Sequence, residues 1–210
     1  LNLMIGAFTV FSSSVIVEFS LGIQTLSLAI LTVIFYNAGA NALNDFVDQK
    51  NDQLNRPGRP IPRASISPNS ALIFSIVLLA LGSASVLFLS VQAKIIALII
   101  VLPLIISYNT ILKKLPLVGN AIISAILGLA FLFSGAAFGN IYKMIIPCFL
   151  AFGLTFVREL IKDMEDIDGD KLEGFLTFPI AAGLKNANTL VVILSILIGF
   201  GLLLPYVFEL

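Results

Sequence analysis

Seven apolar stretches run along the chain, at 3–20, 24–44, 69–91, 94–112, 118–139, 142–163 and 187–208. Each approaches the roughly 20 residues that a helix needs to cross a hydrocarbon layer of about 30 Å. None alternates in polarity as the shorter strand of a membrane barrel would. The pattern therefore predicts an all-α, polytopic transmembrane helical bundle with seven visible spans. The first stretch is too long for a signal peptide and lacks its basic start and small-residue cleavage site, so it reads as a true span.

The polar positions fall between the spans with a parity. Loops after the second, fourth and sixth spans hold Lys50, Arg56, Arg59, Arg63, Lys113, Lys114, Arg158, Lys162, Lys171 and Lys185, against Lys94 and Lys143 on the other side. The positive-inside rule puts those loops, and the N-terminus, in the cytoplasm. The acids partition the same way, from Asp45 to Glu173, with Glu18 and Glu209 elsewhere. Composition agrees with a bilayer protein: 59% hydrophobic, 11% charged and a mean hydropathy of +1.06. The chain has no histidine, which removes imidazole acid–base chemistry and leaves any metal to carboxylates. A formal net charge of zero argues against a nucleic-acid partner. The single Cys148, in an apolar run, reads as a packing residue.

Two acidic runs share one spacing, D-x-x-D-x-x-x-D: Asp45, Asp48 and Asp52, then Asp163, Asp166 and Asp170. Each begins where an apolar span ends. Residues i, i+3 and i+7 share a helix face, so each trio is expected to project together, with Asn44 beside the first and Glu159 extending the second. Like charges so placed destabilise a helix unless a cation offsets them, and Mg²⁺ suits the role because it combines few carboxylates with water and phosphate oxygens. Arg56, Arg59, Arg63 and Lys50 follow the first run, while Arg158, Lys162 and Lys171 bracket the second. Acid for metal beside base for phosphate describes a diphosphate site. Arg59 and Arg63 fit that site or simply a basic cytoplasmic loop. Residues 55–60, NRPGRP, are turn chemistry that ends the first acidic helix.

The stretch N44-D45-x-x-D48-x-x-x-D52 with N55-R56-P57-x-R59-P60-I61-P62, and R158-E159-x-I161-K162-D163-x-E165-D166-x-x-G169-D170-K171, resembles the UbiA superfamily of intramembrane prenyltransferases, most of all its archaeal ether-lipid branch. The resemblance implies one transmembrane domain over 1–210, with fewer spans than is usual in the family, so the chain is expected to be truncated at its C-terminus. It implies a central cavity open to lipid, capped by cytoplasmic loops 45–68 and 164–186. It implies about two Mg²⁺ ions, held by Asn44, Asp45, Asp48, Asp52, Asp163, Asp166 and Asp170. Arg56, Lys113 and Lys162 would contact diphosphate or acceptor phosphate. Asn41 would line the cavity or bond a neighbouring helix. Tyr108 would face the reacting centre or anchor at the membrane interface, and Lys113 rather than Lys114 would accompany it.

The implied reaction moves a geranylgeranyl group from geranylgeranyl diphosphate to the free hydroxyl of geranylgeranylglyceryl phosphate, with Asp48, Asp166 and Tyr108 as its catalytic residues. Membrane lipid is the other expected partner. An aromatic quinone precursor, chlorophyll or haem acceptor stays open, since cavity shape sets acceptor choice. A CDP-alcohol phosphotransferase would carry one continuous aspartate motif with DG and AR dipeptides, absent here. A cation-coupled transporter would bury carboxylates near the bilayer midplane rather than at helix ends.

Overall fold

The computed structural model describes residues 2–18, 22–172 and 174–207. Glu173, Glu209 and the far ends of the first and last expected spans lie outside them. Every regular element among the described residues is helical. Six helical segments are long and apolar enough to cross a membrane: Ile23–Val47, Pro68–Val86, Val91–Thr110, Val118–Ala137, Tyr142–Glu165 and Leu184–Gly201. The first expected span appears as the shorter α1 (Asn2–Ile16). Large apolar side chains such as Phe8, Ile99, Phe149 and Phe200 stay exposed on the outside of the bundle, a surface suited to lipid rather than water. This is an integral membrane protein.

The spans α2 (Ile23–Val47) and α4 (Pro68–Val86) pack along each other, and α1 lies against α2. Their contact is polar as well as apolar. The Tyr36 and Ser83 hydroxyls lie 3.0 Å apart, and Ser75 donates to the Gly39 carbonyl at 2.8 Å. Such bonds matter in a bilayer, where lipid tails give two apolar helices no hydrophobic reason to associate. Ser67 caps α4 by accepting from the Ser70 N–H at 3.0 Å, and Pro68 opens the first turn.

The third apolar segment is not uniform. A short α5 (Val91–Lys94) runs into a π-helical stretch at Ile95–Val101 before α6 (Leu102–Thr110). Pro103 lacks an N–H and its ring crowds the preceding turn, so the ladder there widens and the Leu102 N–H reaches five residues back to the Ala97 carbonyl. The widened turn sets the register beyond it: Ala97, Val101, Ile105, Tyr108 and Asn109 all line the central cavity.

The spans α7 (Val118–Ala137) and α8 (Ile145–Glu165) form the second close pair, with α11 (Leu184–Gly201) on the far side of α8. Gly128 makes the approach possible, since a Cβ there would sit 2.8 Å from the Cys148 carbonyl oxygen. Gly128→Leu is expected to lower stability by about 1–3 kcal/mol through overpacking, read as an earlier thermal unfolding midpoint in detergent. Short helices α3 (Gln49–Asn55), α9 (Ile167–Leu172) and α10 (Phe178–Ala182) lie in the connections, and α12 (Leu204–Val207) follows α11.

Candidate active site

A cavity of about 550 Å³ opens among the spans, and both acidic motifs reach it. Its walls grade from apolar side chains such as Val33, Ile126 and Phe133 to a polar mouth holding Asn44, Asp48, Lys113, Asp163 and Asp166. Of the residues expected at the site, Asn41, Asn44, Asp48, Asp52, Arg56, Tyr108, Lys113, Lys162, Asp163, Asp166 and Asp170 line this one space. Asp45 does not; its carboxylate is turned to Arg59. Tyr108 lines the same cavity as Asp48, Glu159 and Asp163.

The straight helical row expected for each trio breaks at its middle aspartate. Asp48 is the junction between α2 and α3, at φ −86° and ψ 3°. Asp166 is the junction after α8, at φ −109° and ψ 24°, immediately before α9. Aspartate suits such a position because its carboxylate competes with the helix for backbone groups. The backbone bonds nevertheless bridge each break: Asp48 N–H to Asn44 O and Asp52 N–H to Asp48 O, both 2.9 Å, then Asp166 N–H to Lys162 O at 3.1 Å and Asp170 N–H to Asp166 O at 2.8 Å. Spacing survives while the chain bends.

Basic residues occupy the first motif. Arg59 Nη1 reaches Asp52 Oδ2 at 2.8 Å and Asp45 Oδ1 at 3.1 Å. Lys113 Nζ donates to Asp48 in a short ion pair and to Asn44 Oδ1 at 3.1 Å. A 3₁₀ turn at Leu112–Lys114 and a left-handed Leu117, at φ 58°, aim that lysine. Gly119 completes the turn; a Cβ on it would meet the Lys113 carbonyl at 2.9 Å.

The second motif is different. Asp163 Oδ2 accepts from the Asn120 amide at 2.8 Å. Asp170 Oδ2 and Thr177 Oγ1 are shielded from solvent and make no well-formed hydrogen bond. Burial, then the negative charge of Asp163, pushes the Asp170 carboxyl up to about 6, with the neighbouring Thr177 hydroxyl offsetting part of the rise. Arg158 pairs tightly with the buried Glu159, and Lys162 Nζ lies 3.8 Å from the other Glu159 oxygen while its charge also favours the ionised forms of Asp163 and Asp170.

Asn120 and Asn109 also line the cavity, and the motif spacing does not reveal them. Asn109 is buried and donates to the Ile105 carbonyl at 2.8 Å, while Asn120 holds Asp163. Their signal is an amide inside an apolar span, which in a bilayer needs a polar partner. Asn120→Leu is expected to cost about 1–3 kcal/mol by leaving the Asp163 oxygen unsatisfied, and Asn120→Asp to cost more by adding a like charge. Thermal unfolding of the two variants checks the order.

Among the described residues, no three carboxylates converge closely enough to enclose a cation by themselves. That openness fits Mg²⁺, which takes one or two carboxylates and leaves its other positions to water and phosphate. The Asp170 carboxylate, shielded at Oδ2 and set beside the Thr177 hydroxyl, is an oxygen donor of the kind such a cation takes.

A family model described as the UbiA prenyltransferase family matches residues 3–210. The chain belongs to the UbiA prenyltransferase family. Among curated relatives, the digeranylgeranylglyceryl phosphate synthase of Natronomonas pharaonis is 39% identical over 165 residues, covering 78% of this chain and 59% of that protein. A solved structure of a digeranylgeranylglyceryl phosphate synthase is 33% identical, with a TM-score of 0.84, over 100% of this chain and 74% of the other. A UbiA homologue from Archaeoglobus fulgidus, bound to GPP and Mg²⁺, shares the fold at a TM-score of 0.72 and 20% identity, over 95% of this chain and 74% of the other. This UbiA chain spans about three fifths of the length of the curated relatives it matches.

Proposed function

We propose that this chain carries the active site of a digeranylgeranylglyceryl phosphate synthase, a Mg²⁺-dependent enzyme that transfers a geranylgeranyl group from geranylgeranyl diphosphate to the free hydroxyl of geranylgeranylglyceryl phosphate. The observation that carries the reading is the convergence of two aspartate motifs and three bases, Arg56, Lys113 and Lys162, on the mouth of one apolar cavity. Support for the acceptor comes from relatives of that name at 39% and 41% identity. Support for Mg²⁺ comes from the donor set and from the Archaeoglobus homologue.

In this reading the polar mouth faces the cytoplasm, and loops 45–68 and 164–186 cap it. Asn44, Asp48 and Asp52 on one side, with Asp163, Asp166 and Asp170 on the other, hold Mg²⁺; Asp45 serves from behind, through Arg59. When bound, Mg²⁺ neutralises charge that collects on the departing diphosphate. Arg56, Lys113 and Lys162 bind diphosphate or acceptor phosphate oxygens and fix the substrate's register. The prenyl tail lies along the apolar wall, away from water.

The C–O bond of the allylic diphosphate breaks, and the bonding electrons leave with the diphosphate. The Tyr108 ring offers a face to the resulting allylic cation, and the surrounding apolar walls exclude water that would capture it. The acceptor hydroxyl oxygen then bonds to that carbon, and its proton passes to a carboxylate of the second motif.

The purified protein in lipid nanodiscs, supplied with both substrates, is expected to form a digeranylgeranyl product with Mg²⁺ and none with EDTA, read by mass spectrometry. A product that forms equally in EDTA, or only with aromatic acceptors, would overturn the assignment.

A further inference from the structure

The cavity has a definite inner end. Followed inward from the acidic mouth, the last residues that line it are Thr9 on α1, Thr32 on α2, Ala97 in the widened turn and Phe133 on α7, and no described residue farther along those four segments does so. Within one turn beyond each of them the interior is filled. Val10, Ala29, Ala93 and Ala136 are at most 1% exposed and belong to one packed cluster. A close-packed interior of this kind admits no extra carbon without displacing side chains. The two hydroxyls at the inner end are turned to their own helices, Thr9 Oγ1 donating to the Ile5 carbonyl at 3.0 Å and Thr32 Oγ1 to the Leu28 carbonyl at 2.8 Å. That end is therefore apolar in effect.

We infer, resting on the reading above, that this closed end sets the length of the prenyl tail: Thr32, Ala97 and Phe133 admit four isoprene units and stop a fifth. At about 1.5 Å per helical residue, the path from Asn44 to Thr32 along α2 is about 18 Å, and from Asn120 to Phe133 along α7 about 20 Å. An extended carbon chain gains about 1.2 Å per bond, a third of the advance of an extended residue, so the main chain of a geranylgeranyl group is about 18 Å long. Each further isoprene unit needs about 5 Å more. Held at the mouth by its diphosphate, a twenty-carbon tail reaches the closed end. A fifteen-carbon tail leaves that end unfilled, and a twenty-five-carbon tail meets the packed layer.

Ala97 and Phe133 are then specificity-determining residues, one small and one large, on facing sides of the same end. Ala130 lies one turn of α7 nearer the mouth than Phe133 and also lines the cavity. Added carbon at either alanine shortens the space, and carbon removed at Phe133 lengthens it.

The test sets farnesyl, geranylgeranyl and geranylfarnesyl diphosphates against one another, in one mixture, on the full chain in nanodiscs with Mg²⁺. Affinity is read without acceptor, by displacement of radiolabelled geranylgeranyl diphosphate, and transfer to geranylgeranylglyceryl phosphate by mass spectrometry. Wild type is expected to favour the twenty-carbon donor over the twenty-five-carbon one by about 10-fold or more in both. Ala97→Leu and Ala130→Leu are each expected to shift the balance between twenty and fifteen carbons by about 10-fold toward fifteen, and Phe133→Ala to shift it toward twenty-five. A ratio between donors in one sample does not depend on how much protein is folded, so lost stability alone does not move it. Equal use of the twenty-five-carbon donor by wild type would mean that the tail leaves sideways past Ile5 and Leu127, which line the cavity and are exposed, and would overturn the inference. Ratios unmoved in both alanine variants overturn it too. Length-ordered binding without transfer from any donor sinks the function proposed above and leaves the length limit standing, whereas transfer without length order does the reverse.

Discussion

Asp166→Ala is expected to reduce product formation by about 10²–10³-fold or more, the scale seen when one preorganised electrostatic stabiliser is lost from a reacting centre. Its fold should stay intact, because Asp166 holds no ion pair among the described residues and its backbone bonds remain. Asp48→Ala is expected to lose activity as severely but also to cost stability. The Lys113 ammonium, 9% exposed, would lose its carboxylate partner, and an unpaired buried charge of that kind costs about 3–5 kcal/mol. Activity by mass spectrometry and thermal unfolding in detergent separate the two effects. Retained turnover in either variant would refute a site built on both motifs.

Lys113→Met carries the second large effect. It removes a side chain that bonds both Asn44 and Asp48, and a fall in turnover of about 10²-fold is expected from the lost charge at the diphosphate. Lys113→Arg should restore little of it. The guanidinium is broader and planar, and it does not bring a compact point charge onto Asn44 and Asp48 together as the ammonium does. Rates measured at saturating substrate and at low substrate would show whether the lysine acts on binding, on the chemical step, or on both.

The span pattern carried the fold because hydrophobic length is what a bilayer reads, and each of the expected spans after the first appears as an apolar helical segment long enough to cross it. The motifs carried most of the cavity mouth, since i, i+4 spacing is local geometry. Three things were not local. Arg59 lies seven residues from Asp52 and fourteen from Asp45 in sequence, and only the NRPGRP turn brings its guanidinium onto both, so a basic loop and a site residue look alike in the sequence. Asn120 sits forty-three residues from Asp163, a pairing that depends on how α7 packs on α8. The bend at Asp48 and Asp166 escaped the spacing rule because hydrogen bonds four residues apart persist through it.

The widened turn at Ile95–Val101 has its own consequence. A regular helix turns by about 100° per residue, so the wall beyond this segment is indexed by a single surplus residue. Removing one residue there would close the widened turn to an ordinary helix with the downstream wall kept in register, whereas removing one from the regular turns of α6 just beyond it would swing everything downstream by nearly a third of a revolution, carrying the Tyr108 ring off the cavity and shifting the approach of Lys113. Length variation is commonly harmless in a connecting loop. In this span it would act as a change of address.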